Sequence, residues 1–112
     1  MTKVYISRRG NLDYSDALRF GDLVYLVDNR TNELDAYYVA RMCSHSMVDA
    51  THRDYILLGA SSLVNSIASA IFASRFGRLN ILLWDAGNRK YAPKYIVTDQ
   101  PTRKTEDLNA IS

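Results

Sequence analysis

Short apolar runs alternate along the chain with longer segments in which apolar residues recur at helical spacing. Four such runs lie at residues 3–7, 22–28, 55–60 and 79–84, and polar or turn-forming residues bound each of them. A short continuous apolar run is typical of a strand buried on both faces, as in a parallel sheet covered by helices. The pattern therefore predicts four strands at these positions.

The segments between the strands have the pattern of amphipathic helices. Residues 33–48 place five apolar side chains on one helical face, and residues 62–76 form a second helix that ends at Gly77, a residue well suited to a left-handed C-cap. A shorter helix is predicted within residues 13–20, before Gly21. The stripe of residues 33–48 consists of Ala36, Val39, Ala40, Cys43 and Met47.

Strands that alternate with helices at this spacing predict right-handed crossovers and a largely parallel sheet. A turn at Gly87 and Asn88 leads to a fifth strand at residues 91–97, and Pro93 places that strand at an edge because it lacks an N–H donor. We therefore expect an α/β three-layer sandwich of Rossmann-like type: four largely parallel strands with flanking helices and a C-terminal edge strand. Residues 1–97 would form one domain, and residues 98–112 a polar tail.

Composition agrees with one ordinary globular domain. The chain has 112 residues, of which 47% are hydrophobic and 23% charged. A disordered chain has fewer apolar residues and a larger excess of charge. A single cysteine, Cys43, and a first segment that resembles a strand and not a leader favour a cytoplasmic protein. No segment has the roughly 20 apolar residues that a membrane span requires, so no membrane partner is expected.

Polar residues follow every predicted parallel strand, and in open α/β sheets ligands bind beyond the carboxyl ends of the strands. The favoured hypothesis is a small module that binds a nucleotide or another phosphorylated ligand at this edge. Ordinary capping of strands and helices is the alternative explanation for the same residues. The candidate ligand-binding residues are Arg8, Arg9, Asp28, Arg30, Ser61, Ser62 and Asp85.

Residues 59–62, with the sequence Gly-Ala-Ser-Ser, join the third strand to the second long helix. Backbone amides and two hydroxyls at a helix N-terminus suit a phosphate or carboxylate. The segment matches neither of the two well-understood glycine-rich phosphate loops, nor the G-x-S-x-G nucleophile elbow. No set of acid, base and nucleophile is recognisable, so the sequence favours binding over catalysis.

A metal site has little support. Asp28 and Asp85 would share a Mg²⁺ ion only if their strands are neighbours, and each has capping as its alternative role. The two histidines, His45 and His52, lack partners at zinc-ligand spacing.

The helix at residues 62–76 has apolar residues around much of its circumference, which predicts burial on more than one side. A second copy of the chain would supply that cover in a two-fold homodimer, whereas the alternative is cover by the tail or the edge hairpin. The residues small enough for close helix contact are Ser66, Ala70, Ala73 and Ser74.

Charge is distributed unevenly although the net charge is only +2. Residues 75–94 hold five basic residues against one acidic residue, so the alternative function is a non-enzymatic homodimeric accessory protein that presents a basic hairpin to an acidic partner. Tyr91 and Tyr95 alternate with Lys90 and Lys94, but four residues are too few to predict nucleic-acid binding. The size and the lack of familiar motifs also fit a short accessory protein of a mobile element.

Overall fold

A computed structural model describes residues 1–28 and 34–99. Within these residues the chain forms one five-stranded sheet, two α-helices and one 3₁₀-helix. In chain order the elements are β1 (Lys3–Ile6), the 3₁₀-helix (Ser15–Phe20), β2 (Asp22–Tyr25), α1 (Ala36–Ser46), β3 (Tyr55–Leu57), α2 (Ser62–Phe76), β4 (Arg78–Asp85) and β5 (Lys90–Val97).

The strand order is β2-β1-β3-β4-β5, with the first four strands parallel and β5 antiparallel to β4. The predicted mixed α/β architecture, the mostly parallel sheet and the C-terminal edge strand are confirmed. From β1 the chain moves to β2 on one side, and from β2 it crosses over β1 to β3 on the other. The direction of chain progress therefore reverses between β1 and β3.

The direction of each crossover decides which face of the sheet is covered. The connections from β2 to β3 and from β3 to β4 both run across the sheet toward β5. Right-handed crossovers in the same direction place α1 and α2 on one face of the sheet, where the two helices contact each other. The connection from β1 to β2 progresses the opposite way and places the 3₁₀-helix on the other face. The expected third layer is therefore a short 3₁₀-helix with its loop and not an α-helix.

The helical face holds the larger core. Val39 and Cys43 of α1 and Met47, which caps it, are fully buried against Phe72 of α2 and the sheet. Of the other two residues in the predicted stripe, Ala40 is partly buried and Ala36 is exposed at the first turn. Burial raises the pKa of the Cys43 thiol to about 11, so Cys43 stays a small apolar side chain at neutral pH. Among the described residues, no helix combines the length and apolar character needed to cross a bilayer.

Local capping sets the ends of the two α-helices. Ser61 Oγ accepts a hydrogen bond from the Val64 N–H (3.3 Å), and Gly77 adopts the left-handed conformation at φ 66° after the last turn of α2. Asp35 caps α1 by accepting from the Tyr38 N–H (3.1 Å). The predicted helix start at residue 33 lies outside the described residues, and α1 begins at residue 36.

The outer edge of β5 is partly closed by the 3₁₀-helix. The Tyr91 N–H donates to Asp16 Oδ2 (2.7 Å), and Arg19 Nη2 donates to the Tyr91 carbonyl. Arg19 Nε also bonds Asp16 Oδ1 (3.2 Å), so the two side chains occupy the place of a neighbouring strand. Pro93, two residues further on, brings no donor to the same edge, and together these features limit strand addition there.

Candidate ligand-binding site

A cavity of about 390 Å³ lies at the carboxyl ends of β3 and β4, beside the loop that follows β1. This is the region where the chain direction reverses between β1 and β3, and we call the cavity the switch-point pocket. Ligands of open α/β sheets commonly bind at such a position. The pocket is lined by Leu12, Asp13, Tyr14, Leu58, Gly59, Ala60, Trp84 and Tyr91.

Three aromatic side chains form much of the pocket wall. Tyr14 and Tyr91 are buried, whereas Trp84 is 50% exposed at the end of β4. The Trp84 and Tyr91 rings meet edge to face with centroids 5.0 Å apart, because their residues are paired across β4 and β5. An apolar wall with a half-exposed indole suits a flat, apolar group of a ligand.

Gly59 allows the loops after β1 and β3 to approach closely. A Cβ atom at this position would lie 3.2 Å from Ser7 Oγ and 3.5 Å from the Tyr14 hydroxyl. Asn65 of α2 fixes the Gly59 peptide groups: its Nδ2 donates to the Gly59 carbonyl (2.8 Å) and its Oδ1 accepts from the Gly59 N–H (3.3 Å). The Gly59 amide is thus already bonded within the chain and is not a free donor for a phosphate.

Ser7 places a hydroxyl behind this loop. It is 1% exposed, and among the residues that the structure describes its Oγ has no hydrogen-bond partner. Buried hydroxyls are normally bonded. The Ser7 hydroxyl is therefore a buried polar group next to Gly59 that keeps its capacity to form a hydrogen bond.

Two carboxylates lie at or beside the pocket, Asp13 in its lining and Asp16 on the 3₁₀-helix. Hydrogen bonds from Ser15 lower the pKa of Asp13, and bonds from the Tyr91 N–H and Arg19 lower the pKa of Asp16. Burial raises the pKa of Tyr91, and the charges of Asp16 and Asp13 raise it further. Both carboxylates are ionised at neutral pH, so the pocket favours a neutral or positively charged group.

None of the predicted ligand-binding residues that the structure describes lies in the lining of the pocket. Ser61 and Asp85 directly follow the lining residues Ala60 and Trp84, and Ser61 is buried as the cap of α2. Ser62 borders a separate hollow on the helical face. Arg8 and Arg9 lie in the loop after β1, Asp28 is exposed beyond β2, and Arg30 lies outside the described residues.

The strands that precede Asp28 and Asp85 are not neighbours. β1 and β3 lie between β2 and β4, a separation of about 14 Å at the usual strand spacing. Asp85 instead accepts bonds from the Asn88 N–H (3.2 Å) and Asn88 Nδ2 (2.7 Å), which lower its pKa and close the β4–β5 turn. The condition for a shared Mg²⁺ ion is not met, and in residues 1–28 and 34–99 no three metal-ligating side chains cluster.

The sequence pattern drew attention to residues 59–62, of which Gly59 and Ala60 line the pocket, but it did not indicate the aromatic residues. The other candidates were charges and hydroxyls at the strand ends, whereas Tyr14, Trp84 and Tyr91 form much of the wall. A usable signal was present in Trp84, an aromatic residue at the carboxyl end of a strand next to Asp85. Apolar Leu12 and Tyr14 in the loop after β1 were a second signal.

The small residues predicted as a dimer contact form a surface stripe on α2. Ser66, Ala70 and Ser74 are exposed and Ala73 is partly buried. The bulkier side chains of α2 pack within the chain against the core shared with α1. Burial of these side chains therefore does not depend on contact with a second copy of the chain. These bulkier residues are Leu63, Ile67 and Ile71.

A search of curated proteins and a search of solved structures each found no match to the chain. One family model, described as Phage Pam3 gp32-like protein, matches residues 2–98. The matched segment includes all five strands and both α-helices of the described structure. The chain therefore belongs to the Phage Pam3 gp32-like protein family.

Proposed function

We propose that the chain is a small Rossmann-like module that binds a nucleotide or a similar phosphorylated small molecule at the carboxyl ends of its strands. The observation that supports this proposal best is the switch-point pocket, a cavity of about 390 Å³ at the reversal between β1 and β3. Its volume falls in the usual range of ligand pockets, about 300–1,000 Å³.

The lining suggests how such a ligand is oriented. The aromatic and aliphatic walls suit the ring of the ligand, and the ionised Asp13 repels a phosphate from the interior. The phosphate would lie outside, near Ala60 and the N-terminus of α2, where the helix dipole favours negative charge. Ser62 is exposed at the first position of that helix.

Thermal unfolding with a panel of ligands tests the proposal. We expect one or more nucleoside monophosphates to raise the Tm of the chain, because a ligand that binds only the folded state stabilises it by mass action. Trp84→Ala should weaken binding about 10-fold or more, since stacking of a base on an aromatic ring contributes about 1–3 kcal/mol. The matched control is Tyr37→Ala, which removes a largely exposed aromatic side chain from α1.

A second pair of variants tests the position of the phosphate. Ser62→Asp places a carboxylate at the start of α2, and Ser74→Asp places the same charge near the helix end. Ser62→Asp should reduce the Tm shift given by nucleotides and leave the shift given by nucleosides unchanged, whereas Ser74→Asp should change neither. A panel that leaves the Tm of the wild-type chain unchanged at millimolar concentration would contradict the proposed function.

An interaction role is the second candidate. β5 exposes Tyr95 (58% exposed) and Val97 on the face that carries Trp84, and Ile96 with Lys90 and Lys94 on the opposite face. Exposed apolar side chains flanked by basic residues suit an acidic protein partner, and the family description names a phage protein. Such a partner or a second copy of the chain would meet this surface or the small-residue stripe of α2.

Sedimentation velocity tests the homodimer that belongs to this candidate. We expect a concentration-dependent dimer at micromolar concentrations, and Ala70→Arg should abolish it because the long charged side chain separates the two helices. Arg41→Ala, an exposed change on α1, is the control. A wild-type chain that remains monomeric at these concentrations would argue against the dimer.

A further inference from the structure

Asp13 is the one charged residue among those that line the switch-point pocket. Its Oδ1 accepts a hydrogen bond from the Ser15 N–H (2.9 Å), which fixes the orientation of the carboxylate in the loop between β1 and the 3₁₀-helix. The Ser15 side chain bonds the same carboxylate, and because a carboxylate has about four acceptor positions, about half of them stay available to a ligand.

The nearest basic group on the 3₁₀-helix does not neutralise Asp13. The Arg19 guanidinium is bonded to Asp16 and to the Tyr91 carbonyl. Those bonds leave the carboxylate of Asp13 as an ionised acceptor at the pocket. A ligand group beside it must present N–H donors, because an acceptor or an anion would be repelled.

We propose that Asp13 recognises the hydrogen-bonding edge of the bound ring, and that the switch-point pocket prefers a planar ring with adjacent N–H donors, as in guanine. This inference rests on the proposed function and specifies its ligand class. Guanine presents a ring N–H beside an exocyclic amine, and this pair of donors matches a carboxylate. Adenine has only the amine, next to a ring nitrogen that is an acceptor, and uracil has one N–H between two carbonyl groups.

The aromatic wall supports the same ligand class by an independent route. Trp84 and Tyr91 meet edge to face, and the half-exposed indole offers area on which a flat ring stacks. Stacking is tolerant of base identity, since every base has a π-face. Selection among bases therefore depends on Asp13, whereas retention of any base depends on the aromatic wall.

Isothermal titration with nucleosides tests this inference without involving a phosphate. For the wild-type chain we expect guanosine to bind more tightly than inosine, and inosine more tightly than adenosine or uridine. Asp13→Asn should weaken guanosine binding about 10- to 100-fold, the usual effect of losing a charge-assisted pair, and leave adenosine binding nearly unchanged. Asparagine still accepts the Ser15 bond, so the loop keeps its conformation.

The matched control is Asp35→Asn, which changes an exposed carboxylate at the start of α1 that also accepts a bond from a backbone N–H. It should leave the affinity for every nucleoside unchanged. Adenosine binding by Asp13→Asn reports an intact pocket, so a misfolded variant is recognised as such.

Three outcomes would overturn the inference, and they separate it from the proposed function. Equal affinities of the wild-type chain for guanosine and adenosine, or a loss in Asp13→Asn no greater than in Asp35→Asn, overturn the role of Asp13 while the ligand-binding function stands. Absence of binding by every nucleoside and every nucleotide overturns the proposed function and the inference with it.

Discussion

Gly21→Ala is expected to lower the free energy of unfolding by about 4 kcal/mol or to prevent folding. Gly21 ends the 3₁₀-helix with φ 154° and ψ −175°, a conformation that is essentially restricted to glycine. A Cβ atom there would lie 2.3 Å from the Thr2 carbonyl oxygen and 3.1 Å from the Lys3 nitrogen. The same Thr2 oxygen accepts the Asp22 N–H (3.0 Å), so relief of the clash would pull β2 away from β1.

Urea unfolding followed by circular dichroism measures this loss, and Gly10→Ala is the matched control. Gly10 also has a positive φ, 54°, but a Cβ atom there would meet nothing within 4 Å. The control should therefore lose only about 1 kcal/mol, the cost of the left-handed conformation alone. Equal losses in the two variants would contradict the close contact between Gly21 and Thr2.

Asp54→Ala is expected to lower the free energy of unfolding by about 3 kcal/mol, because it leaves two backbone N–H groups without partners. Asp54 is buried at the start of β3, where Oδ1 accepts from the Lys3 N–H (2.9 Å) and Oδ2 from the Thr51 N–H (2.8 Å). Asn80 donates to the Asp54 and His52 carbonyls, both at 2.8 Å. This network joins the starts of β1 and β3 to β4.

Equilibrium unfolding of three variants distinguishes the loss of the Asp54 hydrogen bonds from a general effect of removing a negative charge. Asp54→Asn keeps one acceptor oxygen and should lose about half as much as Asp54→Ala. Asp49→Ala removes an exposed carboxylate from the preceding loop and should change stability by less than about 0.5 kcal/mol. A loss for Asp54→Ala as small as that for Asp49→Ala would show that the two N–H groups find other partners.

Elements with local end signals were predicted well from the sequence. The bounds of α2 were predicted as residues 62–76 and are observed there, because Ser61 and Gly77 cap it through contacts with adjacent residues. The edge position of β5 followed from Pro93, whose missing donor has the same consequence in any fold.

Elements that depend on distant contacts were predicted less well. A short helix was predicted before Gly21 without its type, and Ser15–Phe20 is a 3₁₀-helix that is joined to β5 through Asp16 and Arg19. That contact links residues far apart in sequence, so no local pattern reveals it. The strand order could not be read from the sequence either, and a Mg²⁺ site shared by Asp28 and Asp85 depended on that order.

For the candidate site, the sequence predicted its place better than its residues. The general rule for parallel sheets predicted a site at the carboxyl ends of the strands, and the switch-point pocket lies there. Its lining combines the loop after β1 with the ends of β4 and β5, and this combination requires the three-dimensional arrangement. Ser61 and Ser62 drew attention as hydroxyls, although Ser61 serves as a helix cap.

The most direct test of the account uses the chain's single tryptophan, which is Trp84 in the wall of the switch-point pocket. Tryptophan emission therefore reports on this site alone. Titration with guanosine 5′-monophosphate should change the emission along a saturable curve, and Gly59→Val should abolish the change because its side chain presses on Ser7 Oγ and the Tyr14 hydroxyl. Emission that stays constant up to millimolar nucleotide, while a thermal shift is still seen, would place the ligand elsewhere and contradict the account.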